Sequence, residues 1–208
     1  MTPLSVQAFV FDCGGVILRD GNPGPYQLWA GRLGMTEAEL RQQLWGGESW
    51  TLAELGHISE EAFWFHVAPS LGLGDERDVQ QLATDIWSTW RVDDDVLDVV
   101  DDLRQTHRVA MLSNATDALE RKLSETYGVA DRFDPLLNSA RLGVAKPDER
   151  VYAELCRRLQ LEPREIVFID DRADNIVAAA AFGLHVIWFV SPSELARQVA
   201  TLRQPMQA

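Results

Sequence analysis

The chain has 208 residues, of which 46% are hydrophobic, so it can bury the core of one domain or of a core domain with an insertion. Its formal net charge of -13 repels polyanions at long range, which disfavours nucleic acid and anionic membrane surfaces as partners. The sequence shows neither a basic signal-peptide start nor an apolar stretch long enough to span a bilayer, so we expect a cytoplasmic protein, present as a monomer or a homodimer.

Four short apolar runs predict buried strands. The runs are continuous rather than alternating, which is typical of a parallel sheet covered on both faces. They span residues 6–11, 109–112, 166–169 and 185–190.

Helical patterns follow three of these runs. They cover residues 117–127, residues 174–182 and the residues after Ser191, which forms a capping box with Glu194 and is followed by Pro192. The alternation of strands and helices predicts an α/β fold with a Rossmann-like, doubly wound parallel sheet.

The region from Gly21 to Arg91 differs from the rest, because it has helix signals and no clear strand. Thr36 and Ser59 are expected helix starts, and six of the seven tryptophans lie in this region. We therefore predict a helical insertion at residues 19–91, while residues 1–18 and 92–208 form the core domain. The last five residues, 204–208, are expected to be a loose tail.

Three of the predicted strands end in polar residues. Asp12 follows the first strand, Ser113 and Asn114 follow the second, and Asp170 and Asp171 follow the third. Ligands of open α/β sheets bind outside the carboxyl ends of the strands, so we expect these side chains to converge.

The converging residues suit phosphoryl transfer. Asp12 could attack phosphorus and form an aspartyl-phosphate, which splits one difficult step into two. Packing Asp12 against Asp170 and Asp171 needs a cation, and such oxygen ligands suit magnesium. Lys146, expected to be extended before Pro147, can supply further positive charge, and Ser113 can donate a hydrogen bond to a phosphoryl oxygen.

Four motifs resemble those of the haloacid dehalogenase-like superfamily. They lie at residues 9–17, 112–114, 146–147 and 168–183, in the order of the family and over nearly the whole chain. The resemblance implies a hydrolase fold with a helical cap at the insertion. It also implies that the catalytic residues are Asp12, Lys146 and Ser113. The implied phosphate ligands are Ser113, Asn114, Lys146 and Gly15, and the implied magnesium ligands are Asp12, the Gly14 carbonyl, Asp171 and Asp170.

Residues 54–64 resemble the cap of a bacterial branch that includes α-glucose-1-phosphate phosphatases. The resemblance implies a phosphatase acting on a small phosphorylated metabolite, with sugar phosphates among the candidates. Magnesium is the implied cofactor.

Gly14 departs from the family pattern, because most family phosphatases have an acid/base aspartate at this position. Losing such a group typically costs about 10²- to 10⁴-fold in rate. Three alternatives stay open: a phosphatase whose leaving group or cap compensates, a 2-haloacid dehalogenase, and a non-catalytic phosphate-binding or regulatory protein. The dehalogenase branch needs no metal, so the Asp170–Asp171 pair disfavours it.

Other residues could contribute to the site. His57 or His66 in the insertion could replace the missing acid/base, although a surface or packing role is expected for each. Arg19 could border the cleft, and Asn175 should brace the metal site. The tryptophans are expected mainly in the core, because aromatic residues at helical spacing more often pack than bind.

Overall fold

A five-stranded parallel sheet forms the centre of the structure, a computed structural model that describes residues 6–203. The strands lie in the order β5-β4-β1-β6-β7. They are β1 (Ala8–Phe11), β4 (Arg108–Ser113), β5 (Leu136–Asn138), β6 (Ile166–Asp170) and β7 (His185–Trp188). The four strands predicted from apolar runs and the doubly wound α/β fold are confirmed. The predicted loose tail at 204–208 lies outside the described residues.

Three short strands were missed by the sequence prediction. β5 has only three residues, too few to show a period. β2 (Leu18–Asp20) and β3 (Trp90–Val92) pair antiparallel where the chain leaves and rejoins the core. The prediction that no strand lies between Gly21 and Arg91 is therefore wrong at the end of this region, where β3 begins. The two strands were missed because the charged side chains of Arg19, Asp20 and Arg91 leave no continuous apolar run.

The register of the central strands aligns their carboxyl ends. Phe11 in β1 is opposite Met111 in β4 and Ile169 in β6. All four residues of β1 are fully buried, as expected for a strand with helices on both faces. The residues that follow these strands therefore emerge at one edge of the sheet.

Helices cover both faces of the sheet. α6 (Asp94–Leu103) and α11 (Pro192–Arg203) pack on one face, and α9 (Glu149–Leu159) and α10 (Ala173–Phe182) pack on the other. The helix predicted at 174–182 is confirmed as α10, and Ser191 caps α11 by accepting from the Glu194 amide at 3.3 Å.

The helix predicted at 117–127 is shorter and less regular than expected. α7 covers Leu119–Arg121 and continues as a π-helical turn at Lys122–Thr126. A further short α-helix of the core, α8, covers Ser139–Leu142, and 3-10 turns cover Ala130–Arg132 and Pro163–Glu165.

The insertion is helical and has a hydrophobic core of its own. Its helices are α1 (Gly24–Leu33), α2 (Glu37–Trp45), α3 (Glu48–Glu54), α4 (Glu60–Val67) and α5 (Glu76–Trp87). The expected helix starts are confirmed, because Thr36 forms a capping box and Ser59 accepts from the Ala62 amide. Fully buried side chains of its core include Trp29 and Phe63. The division into residues 19–91 and the flanking core domain stays a prediction. No helix in the described part of the chain has the length and apolar character required to span a membrane.

Candidate active site

The polar residues at the carboxyl ends of the central strands meet in one cleft. Asp12 follows β1 and donates its amide to the Ile169 carbonyl at 2.8 Å, which continues the sheet pairing beyond the strand. Ser113 ends β4 and Asp170 ends β6. All three are buried. The expected convergence is therefore present in the structure.

Lys146 lies at the centre of this group, and its side chain is 1% exposed. Its Nζ donates to Asp12 Oδ1 and to Asp170 Oδ2, both at 2.7 Å, and to the Leu112 carbonyl at 2.9 Å. Burial lowers the pKa of Lys146, but the charges of Asp12 and Asp170 outweigh it and hold this pKa above its ordinary value. The lysine therefore stays charged and fixes both carboxylates.

Three carboxylates surround this one ammonium. Oxygens of Asp12, Asp170 and Asp171 lie within 4.8 Å of one another. Burial raises the pKa of Asp12 to about 7; Lys146 opposes this shift and the charge of Asp170 adds to it. Burial, with the charge of Asp170, also raises the pKa of Asp171. An excess of negative charge on hard oxygen donors fits a divalent cation such as magnesium.

The two neighbouring aspartates differ in their surroundings. Asp170 is fully buried, and its two oxygens accept from Lys146, from the Asn175 side chain and from the Arg172 amide. Asp171 is exposed and lines the cleft. Asp170 thus braces Lys146, whereas Asp171 presents its carboxylate to a ligand.

Two further contacts shape the metal side of the cleft. Gly15 has a φ of +89°, and a Cβ at this position would overlap the Asp171 carboxylate. Asn175 donates to both oxygens of Asp170, while its own Oδ1 is buried without a hydrogen-bond partner. An orphaned acceptor beside the carboxylates is suited to a water molecule of a hydrated cation.

Asn114 holds the main chain of Lys146 from both sides. Its Nδ2 donates to the Lys146 carbonyl and its Oδ1 accepts from the Lys146 amide, both at 2.8 Å. The side chain of Asn114 is therefore used to position Lys146. Together with Ser113 and Gly15, these predicted phosphate ligands line one cleft.

The cleft has a volume of about 320 Å³ and lies between the sheet edge and the insertion. Four tryptophans, Trp45, Trp50, Trp87 and Trp90, line it. The expectation that tryptophans mainly form core holds for Trp29 and Trp64, which are buried in the insertion. No local pattern separates Trp29 and Trp64 from Trp45, Trp50 and Trp87, because all five lie in helices of the insertion.

Charged residues of the cleft wall were missed in the sequence. They are Arg41, Glu54 and Glu60 from the insertion and Lys122 and Arg172 from the core. Glu54 and Glu60 belong to the motif at 54–64, but one sequence does not show which of its side chains point inward. By contrast, His57 and His66 are exposed and do not line the cleft, and His66 pairs with Ser49.

A polar cluster bridges the insertion and the core. Glu60 at the start of α4 pairs with Lys122 Nζ at 2.7 Å and accepts from the Thr116 hydroxyl at 2.7 Å. Asp117 accepts from the Glu60 amide at 2.8 Å. Lys122 Nζ also lies 3.0 Å from the centroid of the Trp87 ring, and burial lowers its pKa to about 8 against the attraction of Glu60. These contacts hold the insertion over the cleft.

Two residues near the site, Cys13 and Arg19, have no catalytic role in this arrangement. Burial raises the pKa of the Cys13 thiol, so it stays protonated and is not a nucleophile. Arg19 pairs with Asp93, the N-cap of α6, outside the cleft.

The sequence of this chain is similar to those of known hydrolases. A family model described as haloacid dehalogenase-like hydrolase matches residues 6–183. The sesquiterpene phosphatase astK of Aspergillus oryzae is 26% identical over 86% of this chain and 87% of that protein. (S)-2-haloacid dehalogenase 1 of Pseudomonas sp. (strain CBS-3) is 26% identical over 88% of this chain and 83% of that protein. Acyl-CoA dehydrogenase family member 10 of Mus musculus is 34% identical over 80 residues, and the match spans only 8% of its length.

Solved structures share the fold. A HAD-like family hydrolase from Porphyromonas gingivalis has a TM-score of 0.73 and 23% identity, covering 96% of this chain and 98% of that chain. A HAD family enzyme from Bacteroides thetaiotaomicron, in complex with magnesium and inorganic phosphate, has a TM-score of 0.72 and 20% identity, covering 88% of this chain and 93% of that chain. At these identities the similarity establishes the fold alone.

Proposed function

The chain belongs to the haloacid dehalogenase-like hydrolase family, and from this premise we propose that it is a magnesium-dependent phosphatase acting on a small phosphorylated metabolite. The observation that carries the proposal is the buried network of Asp12, Lys146 and Asp170 beside the open carboxylate of Asp171. The phosphatase among the relatives and the magnesium and phosphate bound by a protein of the same fold support it.

Asp12 is the proposed nucleophile. Lys146 binds Oδ1 of Asp12, which orients the carboxylate and leaves Oδ2 to attack phosphorus. Attack forms the aspartyl-phosphate as the bond from phosphorus to the leaving oxygen breaks. Water then hydrolyses this intermediate, releasing inorganic phosphate and restoring the Asp12 carboxylate.

Asp12, Asp171 and the Gly14 carbonyl are the proposed magnesium ligands. When bound, magnesium supplies positive charge that reduces the repulsion between the nucleophile and the phosphate. Asp170 acts through Lys146 and Asn175, since these and the Arg172 amide already occupy both of its oxygens.

The proposed phosphate ligands are the Ser113 hydroxyl, the Lys146 ammonium and the main-chain amide of Asn114. Gly15 lines the cleft beside them, but its own amide already donates to the Leu18 carbonyl at 2.8 Å. The Asn114 side chain is already bound to the Lys146 main chain, so its backbone is the group that would contact phosphate. Donors of this kind, fixed before the reaction, typically contribute on the order of 3 kcal/mol each to transition-state stabilisation.

A sugar phosphate is the finer substrate proposal. Rings of Trp45, Trp50, Trp87 and Trp90 offer flat apolar surfaces, and charged side chains between them can bind hydroxyl groups. The resemblance of residues 54–64 to glucose-1-phosphate phosphatases supports this choice. The relative named as a sesquiterpene phosphatase makes a terpenyl monophosphate the main competitor.

A 2-haloacid dehalogenase is the second candidate, favoured by a relative of that name that matches 88% of the chain. Asp12 would then attack carbon and release halide without a metal. The cluster of three carboxylates disfavours this candidate, because Lys146 supplies only one positive charge against three negative ones and a bound metal would balance the remainder.

Phosphate release from sugar 1-phosphates and terpenyl monophosphates, measured with magnesium and with chelator, tests the proposal. We expect release that needs both magnesium and Asp12 and that is lost in Asp12→Asn. Asp174→Asn is a matched control, because Asp174 is an exposed carboxylate that pairs with Arg172.

Two outcomes would contradict the phosphatase. Halide release from 2-haloacids in the presence of chelator would establish the dehalogenase. Folded protein that binds magnesium and phosphate but releases no phosphate from any ester would establish the non-catalytic binding protein.

A further inference from the structure

We propose that Glu54 of the insertion is the general acid/base of this site, in place of the side chain that Gly14 lacks. The inference rests on the proposed phosphatase function. It starts from a gap in the chemistry: no carboxylate or imidazole follows the nucleophile by two residues, and both histidines of the insertion are exposed outside the cleft.

Gly14 has no side chain, so an acid at this site has to come from another element. A Cβ at Gly14 would contact the Trp90 ring at 3.8 Å. This is an ordinary van der Waals distance, so the Trp90 ring, which lines the cleft, borders the space next to Gly14 without filling it. Helix α3 of the insertion ends at Glu54, which also lines the cleft.

The end of α3 is fixed directly to the core. Gly56 has a φ of +73°, and a Cβ there would overlap the carbonyl of Ala140 in α8, so the two main chains touch. The turn is closed by the His57 amide, which donates to the Leu52 carbonyl at 2.8 Å. Glu54 is thus held over the sheet edge by backbone contacts and does not depend on a flexible loop.

The Glu54 carboxyl lines the cleft next to the proposed phosphate ligands. The side chains of Trp50 and Asn114 line the cleft beside it and stabilise its charged form. Asn114 is bonded to the main chain of Lys146, and Lys146 is bonded to Asp12. Glu54 and the proposed nucleophile Asp12 therefore line the same cleft, with Asn114 and Lys146 between them.

Burial raises the pKa of Glu54, although Trp50, Arg172, Asn114 and Lys146 each act to lower it. Charged groups on the neighbouring elements have partners of their own. Glu60 pairs with Lys122, Arg41 with Asp20 and Glu37, and Arg141 with Glu120. A carboxyl with a raised pKa can hold a proton closer to neutral pH than an ordinary glutamate, as an acid catalyst requires.

Glu54 would donate one proton in the first step and regain one in the second. In the first step, the Glu54 proton moves to the leaving oxygen as its bond to phosphorus breaks and the bond from Asp12 forms. In the second step, the Glu54 carboxylate takes a proton from the water that attacks the aspartyl-phosphate. The cycle ends with Glu54 protonated, Asp12 free, and alcohol and inorganic phosphate released.

Glu54→Gln keeps the shape and hydrogen-bonding capacity of the side chain and removes its acidity. For an alkyl phosphate we expect kcat to fall about 10²- to 10⁴-fold with little change in KM, and the pH dependence of kcat/KM to lose the limb that belongs to this carboxyl. For p-nitrophenyl phosphate, whose leaving group needs no proton, we expect the burst of nitrophenolate to remain and the aspartyl-phosphate to accumulate.

Two variants complete the experiment. Glu54→Asp keeps a carboxyl and should recover part of the rate and the pH limb. Glu48→Gln removes an exposed carboxylate from the first turn of the same helix and should behave as wild type. Thermal unfolding of each variant checks that α3 stays in place.

The inference is overturned if Glu54→Gln keeps kcat for the alkyl phosphate within threefold of wild type, or if KM rises while kcat and the pH profile stay unchanged. The second result would make Glu54 a substrate-binding residue. Wild-type protein that releases no phosphate from any ester would overturn the proposed function itself, and the inference with it.

Discussion

Replacing Lys146 by methionine perturbs the most buried ion-pair network of the site. Methionine has nearly the length of lysine but carries no charge, so Asp12 and Asp170 would both lose their cation. Asp170 keeps its hydrogen bonds from Asn175 and Arg172, whereas Asp12 loses its one charged partner in this network. The variant therefore leaves an uncompensated charge inside the protein.

The expected loss of stability follows from burial. Removing one partner of a buried ion pair typically costs about 3–5 kcal/mol. That is a large part of the total of about 5–15 kcal/mol available to a folded protein. In a chain of this length, each kcal/mol corresponds to roughly 2–4 °C, so we expect Tm to fall by about 6–20 °C.

The loss of stability in Lys146→Met should depend on pH, because Asp12 titrates at different pH values in the folded and unfolded states. The pKa of Asp12 is raised to about 7 in the folded protein from an ordinary value of 3.8, so between these values the folded state binds more protons than the unfolded state. The free energy of unfolding therefore falls as pH rises through this range. Without Lys146 the pKa of Asp12 rises further, so the difference between wild type and Lys146→Met should be larger at pH 8 than at pH 5.

Urea unfolding at pH 5 and pH 8, in the presence of chelator, measures both effects. Lys122→Met is a matched control, because Lys122 pairs with one carboxylate, Glu60, and its side chain is 15% exposed. The double variant Lys146→Met/Asp170→Asn should lose less stability than the sum of its single variants, since the second change removes one of the unpaired charges. A loss below 1 kcal/mol for Lys146→Met, or an equal loss at both pH values, would refute the reasoning.

Two glycines allow further tests, with Gly34→Ala as the control for backbone strain, because Gly34 has a φ of +69° and open space around it. Gly15→Ala should displace the Asp171 carboxylate and weaken magnesium binding, measured by calorimetry, by about 10- to 100-fold; unchanged affinity would exclude Asp171 as a ligand. Gly56→Ala should reduce the free energy of unfolding, measured in urea, by about 1–3 kcal/mol more than Gly34→Ala, because its Cβ would overlap a carbonyl of α8. Equal losses in these two variants would show that α3 does not depend on that contact.

Elements with strong local signals were predictable from the sequence. The strands β1, β4, β6 and β7 are continuous apolar runs, and helix starts at Thr36 and Ser59 have capping side chains. β2, β3 and β5 have three residues each, and their pairing depends on partners distant in sequence. Short segments of this kind carry too little periodicity to be recognised.

The α/β fold and the group of polar residues at the strand ends could be predicted from local patterns, because strand direction and register bring the ends of parallel strands together. Tertiary packing sets how the two adjacent aspartates differ: Asp170 is bound by Lys146 and Asn175, whereas Asp171 opens to the cleft. It also decided that Glu54, and neither histidine of the insertion, lies next to Asn114. The physical reason is that the packing of α3 against the core depends on a contact between two main chains far apart in sequence, at Gly56 and Ala140, which no local pattern records.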